Sequence, residues 1–210
     1  MIKKLLVVTI LVAFFIFPQT VWGNEVEYTK SCLMDGEREI VFTSPQRDID
    51  MDVFPDSGIA LVYPSVREVN GQYQHRIAVD YMATAGEIRE YYKTISWIKE
   101  KTENMDELEK IRFVNGFFQK NTEYGGGSTA VDAVVRGKAI CEGYAIGFHM
   151  IAKEIGLNSR VVWGEAGGEI HTWNEVKVNG ETYGVDTCWN EILKNSESWE
   201  KHKKCGEYDL

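Results

Sequence analysis

The sequence contains no cluster of basic residues, and its acidic side chains outnumber its basic ones. It has 23 Lys and Arg against 32 Asp and Glu, which gives a formal net charge of −9 at pH 7. A nucleic-acid backbone is held largely by clustered Lys and Arg, and it repels an acidic chain that lacks such a cluster. Nucleic acid is therefore excluded as the expected partner.

The sequence also lacks a repeat of fixed period, a Pro- or Ser-rich linker and, after its N-terminal stretch, any apolar run long enough to cross a membrane. Its hydrophobic content of 44% is ordinary for a globular protein and is enough to bury a core. At 210 residues, we expect one folded domain after the N-terminal stretch.

The N-terminal stretch has the features of a secretory leader. Lysines precede an apolar run from Leu5 to Phe17, and Val21 and Gly23 suit the −3 and −1 places of a signal peptidase site. The run is shorter than the roughly 20 apolar residues of a membrane-spanning helix. We predict a signal peptide at residues 1–23 and a secreted, extracellular mature protein with no membrane contact. An uncleaved N-terminal anchor is the alternative.

Two β-rich runs follow a charged lead with little periodicity. The lead, residues 24–57, is expected to be irregular. The β-rich runs cover residues 58–66 and 72–82, and the polar pair Asn70-Gly71 between them is typical of a hairpin turn. The sequence therefore predicts a β-hairpin after the lead.

Apolar residues then recur at helical spacing, which predicts one helix from Gly86 and a second from about Met105. We assign both apolar stripes to core packing. Glycines 125–127 predict a flexible loop after the second helix, and no Lys-Ser or Lys-Thr pair follows them to indicate phosphate binding. The hairpin and first helix occupy residues 58–103, and residues 104–210 follow them.

Cys141 begins a further predicted helix, whose apolar residues again recur at helical spacing. Gly156 followed by Leu157 has the form of a C-terminal glycine cap. Gly143 and Gly147 would let another segment approach the helix backbone closely. The sequence thus places a thiol at the start of a buried helix.

A second hairpin is predicted near the C-terminus. An Asn-Gly pair at residues 179–180 joins predicted strands at residues 170–178 and 181–188. A two-residue turn pairs its two flanking residues directly, and this fixes every pair further along the strands.

The register of this hairpin brings chemically active side chains together. It places Trp173 opposite Asp186 and His171 opposite Cys188. Opposed residues share a face, as do alternate residues of one strand, so all four side chains project the same way. Asp186 then becomes the diagonal neighbour of His171, within reach of a ring nitrogen.

Cys141, His171 and Asp186 together supply the groups for covalent acyl transfer. The helix N-terminus favours a thiolate at Cys141, His171 can accept its proton, and Asp186 can orient the imidazole ring. A zinc site made of these residues and Cys188 is an alternative, but it lacks the short paired spacings of structural zinc sites. We therefore expect no metal and no cofactor.

Four segments in this order resemble the transglutaminase-like superfamily of papain-type cysteine enzymes. They are Phe113 to Tyr124, Cys141 to Ala145, His171 to Asn174, and Tyr183 to Asp186. The resemblance implies an α+β fold in which a cysteine at a helix N-terminus packs on an antiparallel sheet. It also implies a catalytic triad of Cys141, His171 and Asp186. On the same resemblance, residues 104–210 are the catalytic core and residues 58–103 an N-terminal extension of it.

Three further residues are expected to bind substrate: Trp173, Tyr124 and Gly143. Trp173, with Trp163 and Trp189, could wall the site, although tryptophans beside a hairpin are as often core residues. The backbone N–H of Cys141 is the expected oxyanion donor, with a side chain near Tyr124 as a second donor.

Cys188 stands where the family pattern usually has threonine. It could form a disulfide with Cys141, act as a redox switch, or simply be packed, and we favour packing. A working nucleophile must stay free, which leaves three cysteines for at most one disulfide. We prefer Cys32 with Cys205 over Cys188 with Cys205.

The leading hypothesis is an exported cysteine enzyme that forms a thioester with a protein or peptide substrate, which could lie at the cell surface. We favour amide hydrolysis over transfer to an amine, partly because acidic residues 48–52 lack the glycine and glutamate of a calcium loop. The alternatives are a cross-linking transglutaminase and a catalytically idle module that binds a cell-surface partner. The oligomeric state is left open.

Overall fold

The computed structural model describes residues 28, 31–48, 59–193 and 201–208. The predicted signal peptide and most of the acidic segment 48–52 lie outside these residues. Within them, no helix combines the length and the apolar character that crossing a membrane requires.

The first of two antiparallel sheets has three strands in the order β1-β3-β2. These are β1, Glu39–Ser44, β2, Ala60–Val69, and β3, Gln72–Tyr81. Strands β2 and β3 form the predicted hairpin, and β2 is longer than the predicted run. Strand β1 lies within the lead that we expected to be irregular, and it pairs with β3 along its whole length. That expectation was therefore wrong for residues 39–44.

One face of this sheet covers a small apolar core, and the other faces solvent. The core residues are Cys32, Leu33, Ile40, Ala60, Ile77 and Val79. On the opposite face, Leu61 and Tyr63 of β2 are exposed. The first hairpin is therefore buried on one side only.

Two helices follow, as predicted: α1, Ala85–Thr102, and α2, Glu107–Asn121. Each begins with a capping box, in which the N-cap side chain and the glutamate three residues later each accept a backbone N–H bond. The apolar stripes of both helices are buried in one large core, which they share with the helices and sheet that follow.

The glycine run does not form the flexible loop that we expected. Glu123–Gly127 is strand β4, which pairs in parallel with β5, Lys138–Ala139. A Cβ atom on Gly126 would lie 2.8 Å from the backbone oxygen of Lys138. The glycines therefore permit a close approach of the two backbones. For this reason a glycine run that is typical of a loop forms a strand here.

Arg136 links residues 58–103, the predicted extension, to the rest of the chain. It follows the short helix α3, Ala130–Val134, and donates from Nη1 to Asp132 and from Nε to Glu87, both at 2.8 Å. Its Nη2 atom also donates to the backbone oxygen of Met82 at 3.2 Å. The hydrogen bonds from Arg136 and Thr84 lower the pKa of Glu87 to about 2. One arginine thus joins the first turns of α1 and α3.

The second antiparallel sheet has the strand order β10-β6-β7-β8-β9. Its strands are β6, Asn158–Ala166, β7, Glu169–Val178, β8, Glu181–Asp186, β9, Glu191–Leu193, and β10, His202–Glu207. Helix α4, Cys141–Glu154, packs against β6 and β7. The α+β architecture, with a cysteine at a helix N-terminus on an antiparallel sheet, is the one that the sequence predicted.

Candidate active site

The site begins at Cys141, the first residue of α4. The residue before it, Ile140, provides no side-chain cap, and Cys141 is half-buried. A hydrogen bond with His171 lowers the pKa of the Cys141 thiol, and backbone N–H groups of Thr172 and Glu142 act in the same direction, while burial opposes them. The helix start and the histidine therefore both favour a thiolate.

Two glycines and an asparagine hold α4 in place beneath this thiol. A Cβ atom on Gly143 would lie 2.9 Å from the Cβ of Ala139, and one on Gly147 would lie 3.2 Å from the Phe118 ring. On the sheet side, Asn174 donates to the Ala145 backbone oxygen at 2.9 Å. The predicted close approach is confirmed. Gly143 is buried in this packing and presents no surface to a substrate, which corrects its expected role.

His171 and Asp186 meet as the hairpin register predicts. His171 Nε2 lies 2.7 Å from Asp186 Oδ2, and both side chains are buried. Because Nε2 is engaged there, the other ring nitrogen of His171 is the one available to Cys141. Burial lowers the pKa of His171, but its hydrogen bonds with Asp186 and Cys141 outweigh this and raise it to about 9.

The register itself is confirmed over most of the hairpin. The strand pairing runs from Val178↔Glu181 to Asn174↔Val185. Strand β8 then ends at Asp186 and residues 187–190 form a turn. The pairing that we expected between His171 and Cys188 is therefore wrong, because the chain leaves the sheet before reaching Cys188.

The turn after β8 is built on Asp186. Asp186 Oδ1 accepts the backbone N–H groups of Cys188 at 3.0 Å and Trp189 at 3.1 Å. From α2, Gln119 donates to the backbone oxygen of Thr187 at 2.6 Å. The orienting carboxylate is thus held by the local turn that it initiates.

His202, which the sequence reasoning missed, also reaches this carboxylate. Its Nε2 atom lies 3.2 Å from Asp186 Oδ2, and its ring packs edge-on against Trp173, with centroids 5.0 Å apart. Burial raises the pKa of Asp186, but the hydrogen bonds from His171 and His202 outweigh it and lower the pKa below its ordinary value. Asp186 is therefore ionised at neutral pH.

The tryptophans near the site differ in exposure. Trp173 is 1% exposed, so it supports the histidines from below and cannot wall a substrate cleft, which corrects its predicted role. Trp189 is 42% exposed, and its ring stacks on His171 at a centroid distance of 4.3 Å. Trp189 therefore covers the histidine from the solvent side.

Tyr124, the second residue of β4, is the most exposed residue of the predicted site. It is 66% exposed. Burial raises the pKa of Tyr124, and the charges of Cys141, Cys188 and Glu169 act in the same direction. Its part in substrate binding stays a prediction.

Tyr208, just after β10, was also missed. Its hydroxyl group donates to Glu142 Oε1 at 3.1 Å, and its backbone N–H donates to the Val161 oxygen at 3.0 Å. The C-terminal segment therefore contributes residues both below the triad, through His202, and beside Cys141. Nothing in the polar sequence of β10 indicated this.

The other cysteines are not paired. All four cysteines are free thiols, with Cys32 buried under the first sheet and Cys205 exposed on β10. The preferred Cys32–Cys205 disulfide is therefore wrong. Burial raises the pKa of Cys188 to about 12, with the charge on Asp186 acting in the same direction. Cys188 is a neutral, packed thiol at physiological pH.

Within the described residues, His171, Asp186 and His202 are the group whose ligand atoms could hold a metal ion, with these atoms within 4.8 Å of one another. Cys141 and Cys188, which belonged to the zinc alternative, are not part of this group. The Nε2 atoms of His171 and His202 already lie at hydrogen-bonding distance from Asp186 Oδ2. A metal ion there would have to replace the hydrogen atom in each of these two contacts.

Comparisons with known proteins give a family and several structural likenesses. Residues 90–199 match the family model described as the transglutaminase-like superfamily. No curated protein matches the sequence. A solved structure described as a TGase aligns at 16% identity and a TM-score of 0.43, covering 65% of this chain and 47% of its own.

Two further solved structures align with this chain over different shares of their own length. A candidate cysteine protease from Cytophaga hutchinsonii aligns at 12% identity and a TM-score of 0.47, covering 81% of this chain and 69% of its own. A candidate protease from Parabacteroides distasonis aligns at 12% identity and a TM-score of 0.38, covering 72% of this chain and 38% of its own. This chain therefore spans less than half the length of two of the three structures.

Proposed function

This chain belongs to the transglutaminase-like superfamily, and from that premise we propose that it is an exported cysteine hydrolase of peptide or side-chain amides. Cys141 is the nucleophile, His171 the general base and acid, and Asp186 the group that orients the imidazole. The observation that carries the proposal is the continuous contact from the Cys141 thiol through His171 to the buried carboxylate of Asp186.

The proposed reaction begins with the thiol proton on His171. The Cys141 thiolate attacks the amide carbonyl carbon, and the oxygen takes up negative charge near the backbone N–H of Cys141. His171 then gives its proton to the leaving amine, and the carbon–nitrogen bond breaks to leave a thioester on Cys141. Water, deprotonated by His171, attacks the thioester, and the acid product leaves as the thiol re-forms.

Access to the site supports hydrolysis over transfer. Transfer to an amine needs walls that keep water away from the thioester. Trp173, one of the expected walls, is buried below the histidines, and Tyr124 is largely exposed to solvent. Water therefore has a route to the carbon that Cys141 would carry.

Export is the second part of the proposal, and it rests on the leader at residues 1–23. If the leader is cleaved at the predicted site, protein recovered from the culture medium of an expressing bacterium will begin at Asn24. A cell-associated product that retains the apolar run would contradict export with cleavage and favour the anchor.

A peptide library with a fluorescent primary amine tests the reaction. We expect cleaved or deamidated peptides to exceed amine-labelled peptides, and Cys141→Ala to give neither. A majority of amine-labelled product would identify a transglutaminase instead. If no peptide reacts while iodoacetamide fails to label Cys141 selectively, the enzyme assignment is wrong and the idle binding module is favoured.

A further inference from the structure

The imidazole of His202 is a buried polar group beside Asp186 that the proposed mechanism does not use. We propose that His202 is a positioning residue of the active site: its Nε2–H holds Asp186 Oδ2 and shares that oxygen with His171. The inference rests on the proposed function. It assigns a role to a residue outside the proposed reaction steps, one that acts through Asp186.

The first argument is the coordination of the carboxylate. Asp186 Oδ1 accepts two backbone N–H groups, from Cys188 and Trp189, and Oδ2 faces two ring nitrogens, those of His171 and His202. An ionised carboxylate has about four lone-pair sites and no donor. All four sites are therefore in use, and the contact at 3.2 Å requires that His202 Nε2 carries a hydrogen.

The second argument is the cost of placing a histidine there. The His202 side chain is 1% exposed and packs against the rings of Trp173 and Trp189, with centroid distances of 5.0 and 5.4 Å. Packing alone could be supplied by an apolar ring, without the cost of removing an imidazole from water. The hydrogen bond to Asp186 is what an apolar ring would not provide.

The sharing of Oδ2 has a definite effect on His171. A second donor draws negative charge from Oδ2, so Asp186 stabilises the His171 imidazolium less than it would alone. His171 therefore remains a strong enough acid to protonate a leaving amine. Without His202, the whole charge of Oδ2 would act on His171, which would hold its proton to higher pH.

Other titratable groups around His171 can also affect its pKa. The neighbours of His171 come from α4, from β6, from the end of β8 and its turn, and from β10. The titratable groups that interact with His171 itself are Cys141 and Asp186, and around this pair lie Cys188, His202, Tyr124, Tyr208 and Glu142. Cys188 and Tyr124 have raised pKa values and are neutral near pH 7, and the charges that act on His171 itself are those of Asp186 and the Cys141 thiolate.

Nuclear magnetic resonance of ring-¹⁵N-labelled histidine tests the proposal without a substrate. The chain has four histidines, so each ring can be assigned by substitution. His202→Phe keeps an aromatic ring but removes the donor. His202→Gln restores an N–H donor, because the glutamine amide nitrogen and Nε2 are the same number of bonds from Cβ. His149→Phe, which removes an imidazole hydrogen-bonded to Ser159, is the matched control.

We expect His171 to titrate near pH 9 in the unsubstituted protein. His202→Phe should raise this midpoint by about half a pH unit or more, and His202→Gln should return it most of the way. His149→Phe should leave it unchanged. A midpoint that does not rise in His202→Phe, or a glutamine variant that behaves like the phenylalanine variant, would overturn the proposal.

Two further measurements keep the test decisive. If His202→Phe does not fold, the unsubstituted protein decides, because His202 Nε2 must then show the chemical shift of a hydrogen-bearing nitrogen from about pH 5 to pH 8. A lone-pair nitrogen at that position contradicts the proposal. Iodoacetamide labelling of the same samples separates the two hypotheses: a Cys141 that reacts only near the free-thiol pKa of about 8.5 rejects the proposed function itself.

Discussion

Within the described residues, two hairpins have the same Asn-Gly turn, and only one of them carries the candidate active-site residues. Asn70 and Gly71 have φ angles of 53° and 76°, and Asn179 and Gly180 have φ angles of 50° and 84°. Both turns have two residues and pair their flanking residues directly, so the same local rule sets the register of each hairpin.

The difference between the hairpins lies in what packs against them. In the second hairpin, residues 171–176 of β7 are all buried, whereas most of β2 in the first hairpin is exposed. Helix α4 covers one face of β7, and residues of β10 and the 187–190 turn contact the histidine on its other face. The turn thus decides which side chains are neighbours, and packing on both faces buries the candidate site residues of the second hairpin.

The largest expected effect comes from removing the proposed nucleophile, Cys141, from α4, the helix that packs against the second hairpin. Cys141→Ala should lower amide hydrolysis by about a thousandfold or more, because no other thiol near His171 is ionised at neutral pH. The fold should be unchanged, as judged by circular dichroism, since the side chain is small and half-buried. Retention of activity would contradict the assignment and make Cys188 the next candidate.

A one-residue insertion tests the comparison directly. A glycine inserted between Asn179 and Gly180 should shift the register by one residue, turn Asp186 away from His171, and lower activity about a hundredfold or more. The same insertion between Asn70 and Gly71 is the matched control and should leave activity per folded molecule within about twofold. Equal losses from both insertions would show that the site does not depend on the second register.

The cysteines of the two regions should differ in reactivity. The ion pair with His171 keeps Cys141 a thiolate at pH values below the usual thiol range, whereas burial raises the pKa of Cys32 beneath the first sheet. We expect iodoacetamide to label Cys141 at neutral pH and Cys32 only in unfolded protein. Peptide mass spectrometry after timed labelling measures the labelling rates of both cysteines.

The pH dependence of hydrolysis is a separate prediction. The His171 imidazolium should lose its proton near pH 9, so the measured rate of hydrolysis should fall above that pH.

The smallest effect is expected from the turn glycines. Gly71→Ala and Gly180→Ala each place a Cβ at positive φ, with no other atom within 4 Å of the new Cβ. Each should therefore lower the free energy of unfolding by about 1 kcal/mol, through backbone strain alone. Urea denaturation measures this. A much larger cost at Gly180 would mean that the second turn contributes more than its backbone conformation.

The parts of the fold that depend on local patterns were predictable from the sequence. Asn-Gly turns fixed both registers, and helical spacing located α1, α2 and α4. The meeting of His171 with Asp186 followed from one of those registers. The family resemblance, too, rested on short segments and is confirmed by the family model.

The parts that depend on a distant partner could not be predicted. Strand β10 is short and largely polar, and strand β1 is short, with an apolar run only from Ile40 to Phe42. Each is a strand because a longer neighbour offers it hydrogen bonds. His202 was missed for this reason, since only the pairing of β10 with β6 brings it towards Asp186. The glycines of β4 were misassigned because close backbone approach and loop flexibility favour the same residue.

Arg136 has a consequence for how the protein unfolds. It is hydrogen-bonded to the third residue of α1, to the third residue of α3 and to the chain just after β3, and α1 shares its core with α2 and α4. A chain shortened to begin at residue 104 would lose the acceptors on Glu87 and Met82 and would open one side of that core. The extension and the catalytic core should therefore melt in a single cooperative transition, although they are separate in sequence.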